Sequence, residues 1–331
     1  LSRGKMVYKQ GNYALAEESL NEARELAARL LNAPMLCDAL MMIGSLARFR
    51  TSRESAITYL SESLELARQV GDPELISNVL GHLGSALSDQ GSFQEAEAYN
   101  KEAAELARSI GNRDQLAQLL YNLCTLAIFQ GRFDEGERYG LEGLELARQV
   151  GYMEVVCKIC TNLGALVMDL EDFTKAEMYF KEALEVARRI GDTKVVSADL
   201  GSLGSLAQRQ GRYYEATAYL QEALSLARQM GDTWLLSAVL NECGELALKL
   251  RDLDAAAAVF QEAAVISAQG SKDEVAAAYY GLARVAQACG KLEDARRYGQ
   301  KSLSIYEITG NRMKEEVQQW MQALPGGEMS S

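Results

Sequence analysis

Few residues in this sequence have types and spacings that could do covalent or metal chemistry. Cys157 and Cys160 form a C-x-x-C pair, a spacing that supports dithiol redox chemistry when it opens a helix within a βαβ unit. Here the pair lies inside an apolar run of helical periodicity with no βαβ pattern, and a zinc site would need a second such pair. Cys160 falls in the column of Leu80, Leu120, Leu200 and Leu240, so it reads as a small buried hydrophobe, and Cys124 stands where neighbouring segments carry a glycine at a helix contact. His82 is the one histidine of the chain. It leaves a catalytic triad a single candidate base, and no G-x-S-x-G lies near it, so it reads as a groove or surface residue. No G-x-x-x-x-G-K-[ST] loop and no G-x-G-x-x-G after a strand is present to cradle phosphates. Glu105, Glu145 and Glu185 stand three residues before Arg108, Arg148 and Arg188, the spacing of solvated ion pairs on one helix. The expectation is a chain with no catalytic residue, cofactor or metal site, and therefore not an enzyme.

Charge and composition narrow the class further. The 331 residues hold 34 Lys and Arg against 46 Asp and Glu, a net charge of −12, with 48% hydrophobic content. That balance suits a folded chain and opposes phosphate backbones and anionic lipid, so neither nucleic acid nor membrane is an expected partner. Six cysteines are scattered through apolar stretches without the dense spacing of a disulfide framework, which favours a reducing compartment. No apolar run approaches the roughly 20 residues of a membrane span, and the expected location is cytoplasmic. The start at Leu1, without Met, reads as a fragment of a longer chain.

What must position any functional side chain is a repeat. Glycine recurs at Gly71, Gly111, Gly151, Gly191 and Gly231, a spacing of 40 residues, with Gly91, Gly131 and Gly211 halfway between and Gly44, Gly84, Gly164, Gly204 and Gly244 on the same grid. One residue drops out after Gly231, and the series resumes at Gly270, Gly290 and Gly310. Between glycines, apolar residues fall at helical spacing, as in Ile76, Val79, Leu80, Leu83 and Leu87, then Phe93, Ala96, Tyr99, Ala103 and Leu106. Each unit is thus two helices ended by glycine, and Asp72, Asn112, Asp192 and Asp232 are placed to cap the next first helix.

On these residues the sequence resembles the tetratricopeptide repeat family, whose pattern W-x2-L-G-x2-Y, then A-x3-F, can be laid on Cys160, Leu163, Gly164 and Val167, then Ala176 and Phe180. Leu200, Leu203, Gly204 and Ala207, then Ala216 and Leu220, repeat the match. The aromatic positions are reduced to smaller residues, the final proline is replaced by Arg188 or Arg228, and the unit is 40 residues in place of about 34. The resemblance implies an all-α fold, a right-handed superhelix (α-solenoid) of stacked helix-turn-helix units. It is read as a single domain over 1–324 with about eight units, the first truncated, a capping helix at 312–324 and a flexible tail at 325–331.

By that resemblance the first helix of each pair lines a concave groove suited to a protein or peptide partner. The residues placed there are Asn122 and Asn162, which the family uses to hold a peptide backbone, with Tyr121, Phe129, Lys158, Arg209, Asn241, Lys249, Tyr280 and Arg284. Asn78, Ser85 and Gln118 fall in the same register, and Asp169 and Glu245 are candidate partners for the basic residues. The units look most like the C-terminal arrays of bacterial multidomain signalling ATPases and transcriptional regulators, relatives of the maltose-regulon activator. This implies a ligand-sensing module that works with other domains of the same parent chain. The alternative is an adaptor of the Pins or kinesin-light-chain type that binds extended peptides. A homodimer through the truncated N-terminal end is a further expectation.

Overall fold

The computed structural model describes residues 1–9, 13–50, 53–268 and 271–325; Gly270 and the tail beyond Pro325 lie outside them. All regular structure among the described residues is helical. The chain forms two compact units, Leu1–Leu166 and Val167–Ser331.

In the first unit the helices are α1 (Ser2–Lys9), α2 (Tyr13–Arg29), α3 (Ala33–Arg50), α4 (Arg53–Val70), α5 (Pro73–Gln90), α6 (Phe93–Ile110), α7 (Arg113–Phe129), α8 (Phe133–Val150) and most of α9 (Met153–Asp169). Consecutive helices pack on one another as pairs, α3 on α4, α5 on α6 and α7 on α8, and the first helices α3, α5 and α7 also touch in series. The ends follow the expected chemistry. Asp72 accepts from the Glu74 and Leu75 amides with Pro73 in the first turn, and Gly91 closes α5 at φ 91°, its N–H reaching the Leu87 and Ser88 carbonyls. Leu31, Glu171 and Arg251 hold positive φ as well, at the grid positions where glycine is missing.

The core is built column by column. Leu80, Leu120, Cys160, Leu200 and Leu240 are all essentially inaccessible, so Cys160 is buried like the leucines of its column, as expected. Close approach within a pair rests on glycine facing a large side chain sixteen residues on. A Cβ at Gly44 would lie 2.7 Å from Leu60, and one at Gly204 or Gly244 would lie 2.6 Å from Leu220 or Phe260. In the α7/α8 pair the sizes are exchanged: Cys124 occupies the glycine column, Gly140 the large one, and a Cβ at Gly140 would sit 3.2 Å from the Cys124 sulfur. The pair is smaller than Gly44 with Leu60, and Leu163 closes on the space, its side chain 2.7 Å from where a Cβ at Gly140 would lie.

The second unit continues with α10 (Phe173–Ile190), α11 (Thr193–Arg209), α12 (Tyr213–Met230), α13 (Thr233–Lys249), α14 (Leu253–Ser267), α15 (Lys272–Ala288), α16 (Leu292–Thr309) and α17 (Met313–Gln322). As expected of a capping helix, α17 covers the end of the stack: Val317 is buried with Tyr280 and Tyr306, flanked by Trp320 and Met321.

One pairing differs from expectation. Arg108 does not use Glu105, nor Arg188 Glu185; their guanidinium groups reach the next second helix, to Glu142 at 2.6 Å and Glu222 at 2.7 Å. Arg68 with Glu102 and Arg228 with Glu262 do the same. Stacking brings the neighbouring helix alongside, so a carboxylate 34 residues on meets the arginine tip better than one on its own helix. Glu145 instead accepts from Gln149. Each such bridge is half exposed and worth about 0–1 kcal/mol.

Candidate functional site

A ladder of side-chain hydrogen bonds runs between successive first helices of the first unit. Ser45, Ser85 and Thr125 each donate their hydroxyl hydrogen to the carbonyl four residues back, Met41, Gly81 and Tyr121, at 2.9, 3.0 and 2.9 Å. The hydroxyl oxygens are left as acceptors for the residue 37 positions on, which is His82 for Ser45 at 2.9 Å, Asn122 for Ser85 at 3.3 Å and Asn162 for Thr125 at 2.7 Å. Since the Ser45 proton is committed to Met41, the contact requires His82 Nδ1 to carry the hydrogen, an assignment from the network. The same register recurs in the second unit, where Ser205 hydrogen-bonds Glu242.

Asn122 is more heavily engaged than a groove clamp should be. Its Nδ2 also donates to Asn100 Oδ1 at 3.0 Å, and its Oδ1 accepts from Gln118 at 3.2 Å. Asn100, on α6, is 1% exposed and fills the column that holds Leu60 and Leu220 elsewhere. Asn162 hydrogen-bonds Cys124 as well as Thr125, although burial dominates and pushes that thiol up to about 12.

Two adjoining clefts open along this face. The larger, of about 500 Å³, is bounded by Arg48, Asn78, Gly81, His82, Ser85, Asn112, Asp114, Gln115, Gln118, Leu119, Asn122 and Tyr152. The other, of about 370 Å³, shares Arg48, Ser85, Gln118 and Asn122 and adds Asp89, Asn100, Tyr121, Thr125 and Lys158 among others. Lys158 places its ammonium 6.0 Å from the centre of the Tyr121 ring, and burial raises the Tyr121 pKa. Arg48 is held by Asp89 at 2.7 Å. The lining is dominated by amides and hydroxyls, which offer donors and acceptors without net charge.

Of the residues placed in the groove from sequence, Tyr121, Asn122 and Lys158 therefore meet at the clefts. Asn162 lies one rung further on, with its Nδ2 on Thr125. Phe129 does not join them: it ends α7, 72% exposed, and stacks on Phe93 at 6.3 Å. In the second unit most of the placed residues are spent on the protein itself. Arg209 donates to the Met168 carbonyl at 2.9 Å, while Asp169 is paired with Arg312 at 2.8 Å. Arg284 grips Glu245 through two contacts, 2.6 and 2.8 Å. Asn241, 8% exposed, donates to the Glu274 carboxylate at 2.8 Å. Tyr280 is buried edge-on to Trp320 and donates to Glu316. Lys249 is exposed at the end of α13. Desolvation pushes the Glu242 carboxyl up to about 7, aided by the charges of Glu245 and Glu274.

Sequence reasoning missed Arg48, Asn100, Asn112, Asp114, Gln115 and Tyr152 at the clefts. The signal for Gln115 was present, because its column is otherwise mostly apolar. Among the described residues there is no group of three or more His, Cys, Asp and Glu placed to hold a metal, and no helix is long and apolar enough to cross a membrane.

No curated protein sequence matches the chain. A Rap protein complexed with competence and sporulation factor superposes with a TM-score of 0.68 at 12% identity, covering 98% of this chain and 95% of that one. NprR in complex with its cognate peptide NprX gives 0.61 at 18% identity over 87% and 81%. A signal transduction ATPase with numerous domains and a tetratricopeptide repeat sensor, from Pyrococcus horikoshii, gives 0.64 at 18% identity over 90% of this chain and 46% of that one. At these identities the likeness is one of fold. Tetratricopeptide repeat models match residues 36–109 and 75–149, and the model of the MalT-like TPR region matches residues 153–319, half of the chain. The chain belongs to the tetratricopeptide repeat family and carries its MalT-like TPR region.

Proposed function

We propose that this chain is a non-catalytic peptide-binding and ligand-sensing module, working within a larger bacterial signalling or transcription-regulatory protein in the cytoplasm. The observation that carries the reading is the polar groove of the first unit, two adjoining clefts of about 500 and 370 Å³ walled by Asn78, Asn112, Gln118, Asn122 and Ser85. An extended backbone alternates donors and acceptors, and such walls answer both. Clefts of this size suit a few residues of a peptide. Tyr121 and Lys158 supply an aromatic face and a cation at one end. Rap bound to competence and sporulation factor and NprR bound to NprX support the reading by sharing the fold, and the Pyrococcus protein supports the sensor role within a multidomain chain. Asn122 and Asn162 shape the groove through the ladder, while Arg209, Asn241, Lys249, Tyr280, Arg284 and Phe129 act outside the clefts.

The test is selection of random heptapeptides displayed on phage against the full chain. Enriched peptides should bind the chain in solution and lose affinity in Asn78→Ala and Lys158→Ala variants. Peptides that bind both variants as tightly as the parent would place recognition elsewhere and refute the groove.

A further inference from the structure

Gln115 breaks a column of the repeat. Counted from the capping residue of each first helix, the third position is Met35, Leu75, Val155, Val195 and Leu235, all apolar, with two exceptions, Gln115 and Glu274. Both exceptions keep the cap, their backbone amides donating to Asn112 and Ser271. Their side chains fare differently. The Glu274 carboxylate receives Asn241 Nδ2 from the preceding first helix at 2.8 Å. The residue standing at the Asn241 position before Gln115 is Gly81, and there the amide finds nothing: Nε2 and Oε1 of Gln115 are both shielded from solvent and have no hydrogen-bond partner among the described residues. Gly81 and Gln115 bound the same 500 Å³ cleft.

A buried amide left unpaired is costly, and the column shows that a leucine or valine fits its place. We propose that Gln115 is the specificity residue of the groove and, by turning its amide from its shielded position into the cleft it bounds, takes a primary carboxamide, the Asn or Gln side chain of a bound peptide, which enters over Gly81 where Asn241 stands in the α13/α15 arrangement. This rests on the peptide-binding reading above. A primary amide carries an N–H and a carbonyl oxygen on one edge, so two such groups pair through two antiparallel hydrogen bonds. A trans backbone peptide group points its N–H and C=O in opposite directions and cannot complete that pair. A carboxylate would bring no donor for Gln115 Oε1 and would share the cleft with Asp114, while the guanidinium lining the cleft, Arg48, is engaged by Asp89. The pairing selects neutral Asn and Gln over Asp and Glu.

The heptapeptide selection tests this with two variants. Gln115→Leu installs the residue of the column and is expected to melt higher than the parent. Gly81→Asn supplies the missing partner from within; a Cβ there meets only the Leu119 side chain, 2.9 Å away. Peptides enriched on the parent chain should share Asn or Gln at one position, and replacing it by Leu should weaken binding about tenfold or more. Gln115→Leu and Gly81→Asn should weaken the parent peptide similarly, and the peptide substitution should then have no further effect. Enriched peptides without a shared carboxamide, or with affinity unchanged by Gln115→Leu, overturn the assignment while leaving the groove intact. Failure of any peptide to bind the parent overturns the groove reading itself, and this assignment with it.

Discussion

Replacing Asn122 by alanine should destabilise the protein through Asn100, a residue buried at the floor of the groove. Asn100 is buried at 1% exposure, its Nδ2 is satisfied by the Ala96 carbonyl at 2.7 Å, and its Oδ1 depends on Asn122 at 3.0 Å. Asn122→Ala strands that oxygen in the core, at about 1–3 kcal/mol. The bonds to Ser85 and Gln118 lie beside the clefts, where water can replace them, so a total of about 2 kcal/mol is expected. Asn162→Ala loses a bond to Thr125 in a partly exposed setting and one to the Cys124 thiol, a weak partner, and should cost about 1 kcal/mol. The mechanism has a built-in control. Asn100→Leu restores the residue found at Leu60 and Leu220, which pack over Gly44 and Gly204 as Asn100 does over Gly84. In that background no buried oxygen is stranded, and Asn122→Ala should cost no more than about 0.5 kcal/mol. Urea unfolding of the four proteins, followed by helical circular dichroism, measures the coupling. Additivity within about 0.5 kcal/mol would refute the argument. The cycle also bears on function, because only the double variant removes Asn122 from the groove without loosening the helices that form it.

Three further outcomes follow from the geometry. Cys124→Gly and Gly140→Leu should each destabilise by about 1–3 kcal/mol, and the double variant, which restores the size order of the Gly44/Leu60 pair, should recover much of the sum in the same urea assay. The pH dependence of melting should change in Glu242→Gln. Because burial raises that carboxyl from the ordinary value of 4.5 to about 7, the folded chain keeps the proton that the unfolded chain has lost. The stability tied to Glu242 is then full below about 4.5, falls as pH rises through about 7 and is flat above; parallel melting curves for parent and variant across that window would contradict it. Glycine at Leu31, Glu171 or Arg251, which hold φ of 52°, 62° and 63°, should stabilise by about 1 kcal/mol each by relieving left-handed strain. A lower melting temperature in all three would count against it.

The helices and their ends were legible from the sequence because a 40-residue grid repeats the same local problem many times, and each solution confirms the others. The glycine columns mark turns that persist even where Leu31, Glu171 and Arg251 stand in for glycine, since the stack over-determines the backbone there. Side-chain partners were less legible, for a definite reason. Spacing within a helix predicts the neighbours of Arg108 as Glu105, but stacking adds a second helix at its tip, and Glu142 wins. The ladder from Ser85 to Asn122 and from Thr125 to Asn162 depends likewise on the offset between repeats, which no single repeat encodes. Phe129 and Lys249 are the last residues of α7 and α13, and both are exposed.

Within the array the two units spend their polar residues differently. In the second unit Glu245, Arg284, Tyr280 and the Nδ2 of Asn241 have partners inside the protein, with Asn241 Oδ1 alone of these left buried and unpaired among the described residues, so a ligand there would have to compete with bonds already made, each worth about 1 kcal/mol or more when charge is involved. In the first unit Gly81 stands at the position of Asn241 and offers Gln115 no side-chain partner, and the two bound one cleft. A repeat whose columns are filled as its neighbours' are has no reason to select one ligand over another, because each unit presents the same face. Selectivity therefore resides where a column is broken and the break is left unpaired, which directs attention to Gly81 and Gln115 ahead of the asparagines that the repeat pattern singles out.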